Sequence, residues 1–203
     1  PGEALELRRR LLGARNREDV LDRQLVRFRE AGRADRRRRR FEVVVGPTQF
    51  VGEGPGAEED AKGEPFVGQA GKLLDSMLAA LGMRRDANVY IANVVKCRPP
   101  NNRTPEPAEA EACRPYLERQ IALIRPKLIV ALGRSAASLL LGTDATIASL
   151  RGRRHRYGET PLVVTYHPAY LLRNLPDKAK AWEDLLLARS MASSVASADP
   201  PVA

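Results

Sequence analysis

Four places in this 203-residue sequence carry side chains able to do chemistry, and each follows a short apolar run. The first is Glu53, inside Gly52-Glu53-Gly54-Pro55-Gly56, with Glu58, Glu59 and Asp60 just beyond and Phe66 on a loop bounded by Pro65 and Gly68. Three glycines and a proline in five positions mark a turn whose backbone approaches something closely. Carboxylates beside such a turn can orient water or a polar ligand. The second is Asn93, the one polar residue in the apolar run 89–95. A fixed carboxamide presents an acceptor and donors on one edge, although a core amide satisfied by its neighbours has the same sequence signature. The third is Gly133, which ends an apolar run. The fourth is His167, whose backbone is restrained by Pro168. A lone histidine is as readily structural, and His155, set among arginines, reads as surface.

The elements that must position these groups follow from the apolar pattern. Pro47 cannot donate to a ladder, so the first strand starts after it. Ala70, Leu73, Leu74, Met77, Leu78 and Leu81 have the spacing of one helix face, stopped by Gly82. The runs 89–95, 127–132 and 162–166 read as strands buried on both faces. Helices are expected over 108–124, broken or restarted at Pro115, over 135–141, just after Pro168, and over 178–191. Lys96 to Pro107 is a loop, and the polar, basic stretch 150–160 could form a hairpin arm. Strands alternating with helices predict a three-layer α/β/α fold with a central, mainly parallel four-stranded sheet. In such folds ligands bind beyond the carboxyl ends of the strands, where all four features fall.

The charge is unevenly spread. Residues 1–40 carry fourteen arginines and no lysine against seven acids, a balance of +7, whereas residues 41–203 carry twenty basic and eighteen acidic residues, a balance of +2. A basic segment 1–48, a folded domain 49–191 and a frayed tail 192–203 are therefore expected. Any contact of the body with a polyanion must be local. No run is long and apolar enough for a membrane span, and two cysteines make no disulfide framework, so a reducing cytoplasm is expected.

Gly52-Glu-Gly-Pro-Gly56 with Glu59-Asp60, Pro65-Phe-Val-Gly68, Asn93-Val-Val-Lys-Cys-Arg-Pro-Pro100, Asn102-Arg103, Cys113, Leu132-Gly133, Leu150-Arg-Gly152 and His167-Pro-Ala-Tyr-Leu-Leu-Arg173 together resemble the family 4 uracil-DNA glycosylases. The match runs in order from Phe50 to Asp184. It implies a repair enzyme that hydrolyses the N-glycosidic bond of uracil in DNA and leaves an abasic site. By the same resemblance Phe66 would stack on the flipped base, Asn93 would read its edge, and His167 would donate to O2 of the leaving uracil. Glu53 would orient water, and Gly54 stands where other uracil glycosylases place an aspartate base. Glu59 would lie at the C5 edge and exclude thymine, Leu171 or Leu172 would wedge into the duplex, and Arg173 would hold a phosphate. Uracil-containing DNA is the expected partner, and a monomer the expected state.

Resemblance to this family also implies a [4Fe–4S] cluster on four cysteines. Cys97 and Cys113 match the second pair, but Leu25-Val-Arg-Phe-Arg-Glu30 stands where the first is expected. Three readings stay open: the cluster is lost, outside ligands complete it, or residues 1–48 are an out-of-frame translation. An alternative function is a uracil-DNA lesion-binding protein with little or no turnover. A nucleotide-binding protein unrelated to repair would need a phosphate fingerprint, and Gly52 to Gly56 fits none. A branch that captures uracil-DNA covalently through a histidine is disfavoured, because the fifteen residues between Cys97 and Cys113 contain none.

Overall fold

The computed structural model describes residues 47–85 and 87–198. The arginine run, the apolar piece 43–45, the place of the missing cysteines and the last five residues lie outside the described residues. Immediately after Pro47 comes β1 (Thr48–Gly52), followed by α1 (Ala57–Lys62), α2 (Gln69–Ala80) and β2 (Val89–Asn93). Then come α3 (Pro107–Ile124), β3 (Leu128–Leu132), α4 (Arg134–Leu141), α5 (Ile147–Leu150), β4 (Arg154–Tyr157), β5 (Thr160–Thr165), α6 (Pro168–Leu171) and α7 (Asp177–Ala198).

The sheet order is β2-β1-β3-β5-β4, parallel throughout except that β4 runs antiparallel to β5. Five strands replace the expected four. The additional one is the polar arm, whose exposed Arg154 and Arg156 alternate with half-buried His155 and Tyr157. Charged residues suit an edge strand and leave no apolar run to mark it.

Successive side chains of a strand face opposite ways, so each central strand feeds two layers. Val51, Ala92, Ile129, Ala131 and Val164 pack with Leu117 and Ile121 of α3 and Ala136 and Ala137 of α4. Phe50, Ile91, Leu128, Val130 and Val163 pack with Leu74 and Leu78 of α2 and Leu185 of α7. That two-sided burial explains the near-continuous apolar runs.

Some boundaries differ from expectation. β2 ends at Asn93 rather than Val95, because the amides of Val94 and Val95 turn to the carbonyls of Gly52 and Glu53 (2.9 and 3.0 Å). α3 passes unbroken through Pro115, which lies on its exposed side where water can reach the freed carbonyl. α7 continues to Ala198, past the expected limit at 191. The register aligns Gly52 with Asn93 and Leu132 with Thr165, so the chain leaves β1, β2, β3 and β5 on one side of the sheet.

Candidate functional site

At that edge, a Cβ on Gly52 would stand 2.5 Å from Cζ of Phe66 and 2.7 Å from Oδ1 of Asn93. Ring and carboxamide therefore meet over a bare glycine. The Phe66 and His167 ring centroids are 5.3 Å apart, with planes tilted by 30°. His167 in turn lies against Gly133, where a Cβ would come within 3.0 Å of the histidine Cβ and φ is +91°. The side chains of Phe66, Asn93 and His167 are thus neighbours at the carboxyl ends of the strands, and the slot is the place where they meet. Oδ1 of Asn93 is buried there and has no hydrogen-bond partner among the described residues. An unpaired buried acceptor costs about 1–3 kcal/mol, which an N–H of a ligand would recover.

Phe66 has φ of +56°, a strained conformation for an aromatic residue. It is held from both sides. Arg85 donates from Nη1 to the carbonyl of Pro65 (2.7 Å), from Nη2 to the carbonyl of Phe66, and from Nε to Asp75 (2.5 Å). Glu59, placed by the short helix α1, accepts from the amides of Val67 and Gly68 (3.0 Å each) and Gly56 (3.2 Å). Burial opposes ionisation of Glu59, but the amides of Gly68, Val67 and Gly56 outweigh it and hold the carboxyl below the usual glutamate range. Beneath the loop, a Cβ at Gly71 would fall 1.8 Å from the Phe66 carbonyl oxygen, so only glycine lets α2 approach.

His167 caps α6 and its Nδ1 accepts from the amide of Ala169 (3.1 Å), which leaves the proton on Nε2. Burial first, and Arg173 next, push its pKa down to about 4, with Glu59 opposing. The imidazole is therefore neutral at pH 7. Its loop is tied to α7 through stacked Tyr166 and Tyr170 (5.0 Å) and the bond from the Tyr170 hydroxyl to Asp177 (2.6 Å). Arg151, 5.8 Å from the Tyr166 ring centre, donates to the fully buried Asp184 (3.1 Å). On the other flank the carboxylate of Glu53 accepts from Oγ of Ser135, at the start of α4, at 2.5 Å.

An aromatic ring, a carboxamide acceptor and a neutral imidazole donor held side by side suit a planar heterocycle with adjacent N–H and C=O groups. The profile of the uracil DNA glycosylase superfamily matches residues 47–186, and the slot lies within them. The chain belongs to that superfamily. Its relatives include the type-4 uracil-DNA glycosylase of Thermotoga maritima, 48% identical over 161 residues, which are 74% of this chain and 83% of that protein. That of Archaeoglobus fulgidus is 53% identical over 131 residues, 61% of this chain and 65% of that protein. That of Sulfurisphaera tokodaii is 50% identical over 144 residues, 66% and 64% of the two chains.

One expectation for this uracil DNA glycosylase superfamily member changes with the geometry. Leu171 is 1% exposed and packed inward, so it cannot wedge into a duplex, whereas Leu172 is 42% and Leu175 60% exposed beside exposed Arg173. Leu175 gave no signal in the sequence, being one leucine among several. Glu59 is anchored to the backbone, its Oε1 accepting two amides and its Oε2 a third. At Gly54 a Cβ would lie 2.6 Å from Cγ2 of Val95, so even an alanine-sized side chain is crowded out. Arg85 and Ser135 also escaped notice: one bonds carbonyls, which no residue pattern reports, and the other meets Glu53 from far along the chain.

The implied [4Fe–4S] cluster does not fit the residues present. Cys113 is buried on α3 and accepts the amide of Lys96 at 3.4 Å, and Cys97 is half-buried in the loop between β2 and α3. Among the described residues no group of three or more His, Cys, Asp or Glu is arranged to hold a metal. The chain has two cysteines in all, and a four-cysteine cluster needs four. No described helix is long and apolar enough to cross a membrane.

Proposed function

We propose that the chain is a uracil-DNA glycosylase of base excision repair, acting as a monomer on uracil-containing DNA in a reducing cytoplasm. The observation that carries this reading is the buried, unpaired Oδ1 of Asn93 between Phe66 and His167. Uracil leaves the base stack at a cost of a few kcal/mol and stacks on Phe66, a contact worth about 1–3 kcal/mol. Oδ1 of Asn93 accepts from N3–H and its amide donates to O4. Cytosine offers the opposite polarity at both atoms and leaves buried groups unpaired.

The C1′–N1 bond then breaks with its electron pair moving onto the base. Charge building on O2 meets the Nε2–H of His167, a neutral donor already in place. Water oriented by Glu53, itself held by Ser135, adds its hydroxyl to C1′, and the proton it releases ends on the departing uracil. The crowded Gly54 leaves no room for a second carboxylate, so stabilisation of the leaving group does most of the work. Glu59, locked to the backbone, forms a rigid wall that rejects a C5 methyl. Leu172 fills the gap left in the duplex and Arg173 holds a flanking phosphate. Cys113 serves as a buried thiol and Cys97 as a half-buried one, and no step passes through a cluster.

Incubation with a uracil-containing oligonucleotide followed by alkali tests the reading. Strand scission at the uracil is expected, and tight binding without scission would replace the enzyme with a lesion-binding protein.

A further inference from the structure

Lys96 follows the strand that carries Asn93, and its side chain turns back beneath it. The ammonium donates to the backbone carbonyl of Asn93 at 2.5 Å and to Oε1 of Gln120, on α3, at 2.7 Å. Gln120 is buried and donates from Nε2 to the hydroxyl of buried Tyr90 at 3.0 Å. Burial pushes the Lys96 ammonium down to about 8, with Cys113 opposing. Taking a cation out of water is costly, and a methionine would fill similar space without that cost. The bonds the ammonium makes are therefore the place to look for its use.

One peptide unit joins Asn93 to Val94. Its N–H, on Val94, is held by the carbonyl of Gly52 at 2.9 Å, and its carbonyl is held by Lys96. With both ends fixed the unit cannot rotate, and the Asn93 side chain hangs from its first residue. Pairing with β1 fixes only the N–H end of this unit, and the carbonyl end is fixed by Lys96.

We propose that Lys96 is a positioning residue for base recognition: by gripping the carbonyl of Asn93 it sets the angle at which the carboxamide enters the slot. Gln120 and Tyr90 hold the ammonium in place from the opposite side. The inference rests on the uracil-reading role of Asn93 and adds to it a residue that touches neither base nor DNA.

Single-turnover excision by the full chain is measured for the parent, Asn93→Ala, Lys96→Met and the double variant. Lys96→Met is expected to excise uracil about tenfold more slowly than the parent, the effect of losing one charge-assisted hydrogen bond. In the Asn93→Ala background the same substitution is expected to change the rate by less than about twofold, because the group it positions is gone. Additive effects overturn the proposal and reduce Lys96 to general support of the fold. Should Lys96→Met fail to fold, Lys96→Gln, which keeps a neutral donor, runs the same cycle under the same criterion. A parent that excises no uracil sinks the functional reading instead, and the cycle is then read on affinity for a uracil-containing duplex.

Discussion

With its Nδ1 taken by the Ala169 amide and its ring buried, His167 is uncharged at neutral pH, and that has consequences. Its pKa falls from 6.5 in the unfolded chain to about 4 in the fold, so between those values the unfolded state binds more protons. Stability should be untouched by this group above pH 6.5, decline as pH falls from there towards 4, and level off below. Urea unfolding of the parent and His167→Gln checks this, since the variant should lose that part of the decline. Excision should likewise show no inflection near pH 6.5; a midpoint there would mean a charged imidazole. At Gly54 the crowding by Val95 gives a second expectation. Gly54→Asp alone should destabilise the protein by about 1–3 kcal/mol, and Val95→Ala should restore much of it; equal melting temperatures for Gly54→Asp with and without Val95→Ala would refute the clash. Asn93, Phe66 and His167 were legible because each interrupts or ends an apolar run or sits between turn residues. Arg85, Ser135 and Lys96 were not, because their partners lie far along the chain or on the backbone. The place of Glu59 at the C5 edge came from the resemblance alone, and the backbone amides that claim its carboxylate leave no mark in a sequence.

The helix α2 and the Phe66 loop form one working element. The loop is strained at Phe66, gripped by Arg85 and Glu59, and pressed by the helix at Gly71. Backbone cannot yield as a side-chain tip can, so Gly71→Ala must displace the Phe66 carbonyl and with it the ring. It is expected to cost about 1–3 kcal/mol in stability and more than tenfold in excision, by the loss of a stacking contact worth about 1–3 kcal/mol. Denaturant unfolding and excision rates decide; an unaffected rate in a folded Gly71→Ala protein would show that Phe66 does not set the slot. At this scale the sequence was informative wherever periodicity was strong. α2, β3 and β5 fell close to their expected places. The polar hairpin arm was not counted as a fifth strand and the acidic α1 was missed, because both lack the apolar pattern from which elements are inferred.

Across the molecule, the sheet gathers the groups and the outer helices secure them. Arg151 and Asp184 bind the far side of the His167 loop to α7, and removing one partner of such a buried pair costs about 3–5 kcal/mol. The two thiols hold no such central post. The purified chain should show no visible iron–sulfur absorbance and no change in melting temperature with a chelator; either signal would mean that ligands from outside complete a cluster on Cys97 and Cys113. The layered α/β architecture and the gathering of the candidate groups at the strands' carboxyl ends were legible from the alternation of strands and helices, whereas the contacts among those groups were not. That convergence is tested most directly by comparing excision of uracil and cytosine from matched oligonucleotides by the parent and Asn93→Asp. The parent should act on uracil with cytosine almost untouched, and the variant should lose most uracil excision and gain cytosine excision, because a carboxyl edge reverses the hydrogen-bond pattern. An unchanged preference for uracil in a folded Asn93→Asp protein would contradict recognition through this side chain.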